Sequence, residues 1–338
     1  MRSILVIRLT SLGDVILATP LVRQLHRTYP QARIDVMVHA KFAAVWQHNP
    51  HVRHVWSVDP RSDAHTTART AIRASVPNGI YDLILDLQHN HRSRRLRRGL
   101  GTTVVCAPKH RLEKLSMVWL KNMPDVVTSV VSRYRSTVEH LPLVHDVEGP
   151  ELWLDQERVD GAYGARARTD TGRVAIAPGA QHATKRWPAE RYADLCDQLW
   201  QQHGLTPVLV GSPADADVCA AVANASAAPV ERADGAETIE QTVRTLDSCV
   251  ALVTNDSGVM HMGAARRLPT VALFGSTVPA FGFAPYGTPH VIVEHDVACR
   301  PCTHIGRATC PKQHFACMRM IDVEQVMRGL ATLGIFAR

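Results

Sequence analysis

Short apolar runs alternate with helical patterns along this chain, once over residues 3–106 and again over 174–274. In the first pass, runs at 3–7, 34–38, 54–58, 82–87 and 104–106 read as strands, with an amphipathic helix predicted over about 15–27 and a basic one over 92–98. The second pass gives strands at 174–177, 207–210, 251–254 and 270–274, helices at 189–203, 214–223, 238–246 and 259–267, and a last helix at 323–333. Strands separated by helices point to parallel pairing, since a helix crossover returns the chain to the same end of the sheet. The expected fold class is therefore α/β, with two Rossmann-like doubly wound parallel-sheet domains facing a central cleft. Between the passes the chain turns polar and rich in turn formers, with Glu148-Gly149-Pro150 and then Gly161 to Gly172. The expected boundaries are a first domain at 1–150, a linker at 151–172 and a second domain at 173–338 that includes the last helix.

With 338 residues, 46% of them hydrophobic, each half can bury a core of its own. No stretch of about 18 apolar residues occurs, and the opening run is too short for an export signal, so a cytoplasmic protein is expected. A net charge of +7 favours anionic partners: nucleic acid, phospholipid headgroups or phosphorylated glycans. Composition does not choose among them.

Doubly wound sheets bind ligands beyond the carboxyl ends of their strands, so the loops after strands carry the chemistry. The first is Arg8-Leu9-Thr10-Ser11-Leu12-Gly13-Asp14. Ser11 and Gly13 let a substrate approach the backbone, and Asp14 can accept a proton from an attacking hydroxyl; an aspartate at a helix start also serves simply as a cap. The second loop runs from Pro178 to Pro188 and sets Thr184, Lys185 and Arg186 just before a helix, where a diphosphate can be held. A basic loop on a basic protein needs no such ligand. In the third, Thr254-Asn255-Asp256-Ser257-Gly258-Val259-Met260-His261, the backbone N–H groups of Ser257 and Gly258 would face a phosphate. Alone, Asp256 reads as a cap and His261 as a satisfied helix histidine.

Taken together the three loops resemble the heptosyltransferases of glycosyltransferase family 9, which act in assembly of the lipopolysaccharide inner core. The resemblance rests on Arg8 through Asp14 to Pro20, Tyr81-Asp-Leu-Ile-Leu-Asp-Leu-Gln88, Lys185-Arg-Trp-Pro188 and Thr254 through His261 to Ser276, and spans nearly the whole chain. It implies a GT-B fold and an inverting transfer from an ADP-heptose donor to a lipid A-linked core oligosaccharide, at Kdo or heptose. Asp14 matches the family's general base. Thr184 and Lys185 match its phosphate contacts, and Asp256, Ser257, Gly258 and His261 its second phosphate loop and sugar-side contacts. Asp215, in Gly211-Ser-Pro-Ala-Asp215, resembles a ribose ligand. With a lysine, a helix start and hydroxyls on the leaving diphosphate, the resemblance implies that no cofactor is required for catalysis.

Two clusters lie outside those loops. Five arginines in the seven residues Arg92–Arg98 suit acceptor carboxylates or phosphates, with Arg92, Arg94 and Arg95 the expected contacts beside Ser11 and Gly13. A solvated helix face has the same pattern. Cys299, Cys302, Cys310 and Cys317 are compatible with a structural zinc ion, with an iron–sulfur cluster or with free thiols. A nicotinamide oxidoreductase lacks its glycine fingerprint after the first strand, and a nucleic-acid-binding protein lacks a recognisable reading motif. A sugar-nucleotide epimerase of the same two-domain fold stays as the alternative. A monomer is expected, with peripheral electrostatic contact at the inner face of the cytoplasmic membrane and no nucleic-acid partner.

Overall fold

The computed structural model describes residues 1–59, 64–144, 146–161, 163 and 172–336. Among them, eleven strands form two wholly parallel sheets. β1 (Ser3–Ile7), β2 (Arg33–His39), β3 (His54–Val58), β4 (Tyr81–Asp86) and β5 (Gly101–Cys106) lie in the order β3-β2-β1-β4-β5. β6 (Arg173–Ala177), β7 (Thr206–Val210), β8 (Glu231–Ala233), β9 (Ala251–Asn255), β10 (Thr270–Phe274) and β11 (His290–Glu294) lie in the order β11-β10-β9-β6-β7-β8. This two-sheet α/β architecture is that of the GT-B class.

The central strands are mostly apolar because helices cover both faces, and every residue of β1, β9 and β10 is buried, the polar Ser3, Thr254, Asn255 and Thr270 at the strand ends included. Leu5, Ile7, Met37, Ile84 and Leu96 anchor the core of the first sheet. Val174, Ile176, Leu195, Val253, Leu273, Val326 and Leu330 anchor that of the second, where the last helix, Val323–Thr332, also packs.

The chain forms two compact units. One contains Met1–Lys109 and Val130–Tyr163; the other contains His110–Ser129 and Gly164–Arg338. The chain thus contributes residues 110–129 to the second unit before returning to the first. Within the first unit, Arg23 fastens the returning segment: its guanidinium pairs with Asp146 at 2.9 Å and Glu151 at 2.8 Å and donates to the Gly149 carbonyl at 3.1 Å. Much of the expected linker, at 162 and 164–171, lies outside the described residues.

Two local expectations are corrected. The helix read over 15–27 is two helices, Leu12–Ile16 and Thr19–Thr28. Pro20 lacks an N–H and its ring would clash with the Ile16 carbonyl, so the chain restarts with Pro20 in the first turn of the second helix. β8 and β11 are edge strands missed by the apolar pattern, since most of their residues are exposed or half-exposed.

Sheet order locates the sites. In the first sheet the order reverses between β1 and β4, and in the second between β6 and β9. At such switch points, loops from neighbouring strands diverge and leave a crevice. The loops after β1, β6 and β9 are those singled out from the sequence.

Candidate functional site

In the first unit, the loop after β1 is held by the loop after β4. Leu9 N and Thr10 N donate to Gln88 Oε1 at 3.0 and 3.1 Å, and Arg8 Nη1 donates to the Leu87 carbonyl at 2.8 Å. This fixes Arg8 beside Asp14, with Nη2 2.6 Å from Oδ1. Ser11 donates to Asp14 Oδ2 through its hydroxyl at 2.8 Å and its N–H at 3.2 Å, and the Tyr134 hydroxyl donates to Oδ1 at 3.3 Å. Burial would lift the Asp14 carboxyl, but Arg8 and Ser11 together outweigh it and hold the group below its ordinary value. Asp14 is thus kept as a carboxylate whose two oxygens have fixed directions. Ser11 is exposed at the turn and Gly13 is buried beneath it. Gln88, Arg8 and Tyr134 were not singled out as functional residues. Gln88 ends a quoted motif, but what it holds depends on β1 and β4 being neighbours.

The arginine-rich segment forms the helix His91–Arg97, started by Asn90, whose side chain accepts from Arg92 N and Ser93 N. The buried Asp86 carboxylate accepts from His89 N at 2.7 Å, Ser93 Oγ at 2.8 Å and Arg97 Nε at 2.9 Å. Arg97 is therefore spent on the fold. Arg92, Arg94 and Arg95 are exposed and leave the helix toward solvent.

In the second unit, the loops after β6 and β9 meet. Asn255, fully buried, donates to the Pro178 carbonyl at 2.8 Å and accepts from Trp187 N at 3.1 Å, tying both ends of the β6 loop to β9. The result is an ion pair between Lys185 Nζ and Asp256 Oδ2 at 2.6 Å, with the Thr277 hydroxyl donating to the same oxygen at 2.7 Å. Ser257 precedes the helix Gly258–Ala265 and lies 3.3 Å from the Thr254 hydroxyl, Oγ to Oγ1. Gly258 opens that helix. His261 is buried on it and meets the ring of Phe283 edge-on at 6.2 Å. The Thr184 side chain is buried and its hydroxyl is occupied, donating to the Arg307 carbonyl and accepting from Arg307 N and Ser276 Oγ. It therefore joins the β6 loop to two others.

Asp215 closes its own turn, accepting from Ser212 N at 3.0 Å and Ser212 Oγ at 2.8 Å. It packs over Gly179, where an added Cβ would come within 2.2 Å of Asp215 Oδ1. Gly179 is thus the residue that lets the β7 loop approach the β6 loop.

Cys299, Cys302 and Cys310 are half-buried and Cys317 is buried, all as free thiols. Burial pushes the Cys317 thiol up to about 11 and raises that of Cys302. Cys299 Sγ lies 3.8 Å from His314 Nε2, but among the described residues no three His, Cys, Asp or Glu side chains gather closely enough to hold a metal ion. The segment supports the loop after β10. Buried Arg300 donates to the carbonyls of Gly275 at 2.6 Å, His295 at 3.0 Å, Thr277 at 3.1 Å and Phe274 at 3.2 Å, and pairs with Glu294 at 2.7 Å. It thereby fixes the strand end that presents Thr277 to Asp256. No helix of the described residues is long and apolar enough to cross a membrane.

The sequence profile of glycosyltransferase family 9 (heptosyltransferase) matches residues 69–313. The chain is 28% identical over 297 residues to lipopolysaccharide heptosyltransferase 2 of Escherichia coli, covering 82% of this chain and 84% of that protein. It is 27% identical over 328 residues to lipopolysaccharide heptosyltransferase 1 of Pseudomonas aeruginosa, covering 92% and 88%. Among solved structures, a family 9 glycosyltransferase from Veillonella parvula superposes with a TM-score of 0.75 at 22% identity, over 99% of this chain and 97% of that one. The ADP-heptose heptosyltransferase II of E. coli superposes with 0.71 at 23% identity, over 99% of each chain. An E. coli heptosyltransferase solved with ADP gives 0.71 at 20% identity, over 98% and 99%. With the profile spanning well over half its length, the chain is a glycosyltransferase and belongs to glycosyltransferase family 9 (heptosyltransferase).

Proposed function

We propose that this enzyme transfers heptose from ADP-heptose to a lipid A-linked inner-core acceptor of lipopolysaccharide, with inversion at the anomeric carbon. The observation that carries the reading is the pairing of Lys185 with Asp256 at the switch point of the second sheet, where a cation stands beside a helix start. The donor diphosphate takes Lys185 from Asp256 and gathers the Ser257 and Gly258 N–H groups, while Asp256 and His261 are left to the sugar side. Thr184 keeps the β6 loop in register with Ser276 and Arg307. Asp215 is assigned to the ribose, next to Gly179.

Asp14 removes the proton from the acceptor hydroxyl as its oxygen bonds to the anomeric carbon. The bond from that carbon to the diphosphate breaks in the same step, and the departing charge falls on ADP, where Lys185 stabilises it. Ser11 and Gly13 line the acceptor approach, and Arg92, Arg94 and Arg95 hold its carboxylates or phosphates. Family membership favours transfer over the epimerase alternative. A zinc ion at the four thiols would be structural and enters no step; metal analysis of protein purified without chelator tests that role. We place the enzyme in the cytoplasm, as a monomer that meets its acceptor at the membrane surface.

The test is transfer from ADP-heptose to a panel of truncated lipopolysaccharide acceptors, with Asp14→Asn alongside. Product with one acceptor and loss of turnover in the variant supports the reading. Full turnover by a folded Asp14→Asn protein removes the catalytic assignment, and no transfer to any acceptor removes the substrate.

A further inference from the structure

The helix Arg111–Trp119 carries its apolar stripe on the wrong side for a globular protein. Leu112, Leu115 and Trp119 fall at i, i+3 and i+7, so they share one face, and that face points to solvent. Leu112 is 83% exposed and Trp119 75%. Met117, on the other side of the helix, is buried, and Lys121 anchors the helix end by donating to the carbonyls of Cys299 at 3.1 Å and Pro301 at 2.8 Å. The helix is thus held by one face while its larger apolar face stays uncovered. The chain beyond it continues the pattern, with Leu120 76% and Val126 79% exposed and Met123 and Val127 also open to solvent. Isolated exposed apolar residues need no explanation, but a contiguous set on an anchored helix marks a contact surface.

The charges around the patch identify its partner. Lys109, Arg111 and Lys114 flank it, against Glu113 and Asp125, in a chain of net charge +7. A second copy would bring the same positive charge to the interface. A bilayer containing anionic phospholipid offers what the patch lacks: acyl chains for the leucines and tryptophan, and negative headgroups for the basic rim. Tryptophan is suited to that boundary, having an apolar body and one polar N–H.

We propose that the helix Arg111–Trp119 and the segment to Val127 form the surface by which this enzyme docks on an anionic membrane. The inference rests on the reading above only in that a lipid-linked acceptor gives such docking a purpose; the patch itself is independent of it. Docking would carry the second unit to the plane in which the acceptor lies.

The experiment is co-sedimentation of the full chain with vesicles of phosphatidylcholine alone or of phosphatidylcholine with phosphatidylglycerol. Two variants are compared, Leu112→Ser/Trp119→Ser/Val126→Ser and Arg111→Glu, all at solvent-facing positions. The wild type should pellet with anionic vesicles and be released by salt. The triple variant should lose about tenfold or more in partition, and Arg111→Glu should lose severalfold on anionic vesicles only. Transfer from ADP-heptose to a soluble, deacylated acceptor should be unchanged in both. Wild-type protein that ignores anionic vesicles, or a triple variant that binds them equally well, overturns the proposal. So does a wild-type dimer that the triple variant converts to monomer, which makes the face an interface between copies. Vesicle binding by a wild-type protein with no transferase activity would sink the functional reading and leave this surface standing.

Discussion

Arg8 and Asp14 form an ion pair of 2.6 Å at the turn that follows the first strand, so the proposed base carries its counter-ion with it. The arrangement has two opposing effects. Arg8 favours the ionised form of Asp14 against burial and aims it, but in lowering its pKa it also weakens the carboxylate as a base.

The pH profile follows from the sign of that shift. A base held below the ordinary aspartate value of about 4 is active above its own pKa, so the acid limb of kcat/KM lies at low pH. Replacing Arg8 by Gln removes the charge, lets burial lift the Asp14 pKa, and moves the acid limb upward. Asp14→Asn abolishes the limb and lowers kcat by roughly 10²–10⁴. Steady-state kinetics from pH 4 to 8 checks this: wild type should show no acid limb in that range and Arg8→Gln should bring one into it, whereas a wild-type limb above pH 4, or none in Arg8→Gln, means that another group sets the profile.

At the other site the pairing of Lys185 with Asp256 separates binding from turnover. Lys185→Ala loses the cation proposed to meet the leaving diphosphate and should lower kcat/KM by about 10²–10³, with weaker ADP binding by calorimetry. Asp256→Asn should behave differently. The amide no longer competes for Lys185, so ADP should bind at least as tightly, while turnover falls because the sugar side has lost its carboxylate. Weaker ADP binding in Asp256→Asn would show that the carboxylate orients Lys185 rather than competing with the nucleotide.

Arg300 links the cysteine-rich segment to this chemistry without reaching it. Its guanidinium is buried among four carbonyls and one carboxylate, and Lys cannot reproduce that planar array of donors. Arg300→Lys should cost about 1–3 kcal/mol in urea unfolding, since the carbonyls lose their donors. It should raise the donor KM more than it lowers kcat, because Thr277 and Asp256 lose their fixed position. A stability loss with unchanged KM would confine Arg300 to the fold.

What the sequence made legible follows from burial. Strands covered on both faces read as unbroken apolar runs, and this located β1, β4, β6, β9 and β10 and the loops after them. The edges are different: β8 is Glu231-Arg232-Ala233, with no apolar pattern to mark it, and β11 offers only the short run Val291-Ile292-Val293 between polar residues. Partnership was illegible for another reason. Lys185 and Asp256 stand seventy-one positions apart, and their contact depends on β6 lying beside β9, which no local pattern encodes. Gln88 and Tyr134 likewise act on the Asp14 loop across the fold. Arg97 looked like its neighbours until the buried Asp86 carboxylate separated it from them.

That separation makes the arginine helix testable residue by residue. Arg97 is bound to a fully buried carboxylate, whereas Arg92, Arg94 and Arg95 are exposed. Arg97→Ala leaves Asp86 with one fewer donor and should destabilise the first unit by about 1–3 kcal/mol, read by thermal or urea unfolding. Reversal of Arg92 and Arg94 to Glu should leave stability within about 0.5 kcal/mol of wild type, because exposed charges contribute little to folding. The same double reversal should raise the acceptor KM severalfold or more and leave the donor KM alone, with the difference shrinking as salt is added. If acceptor KM does not move, these arginines serve only to solvate the helix, and the acceptor's negative groups are held elsewhere in the first unit.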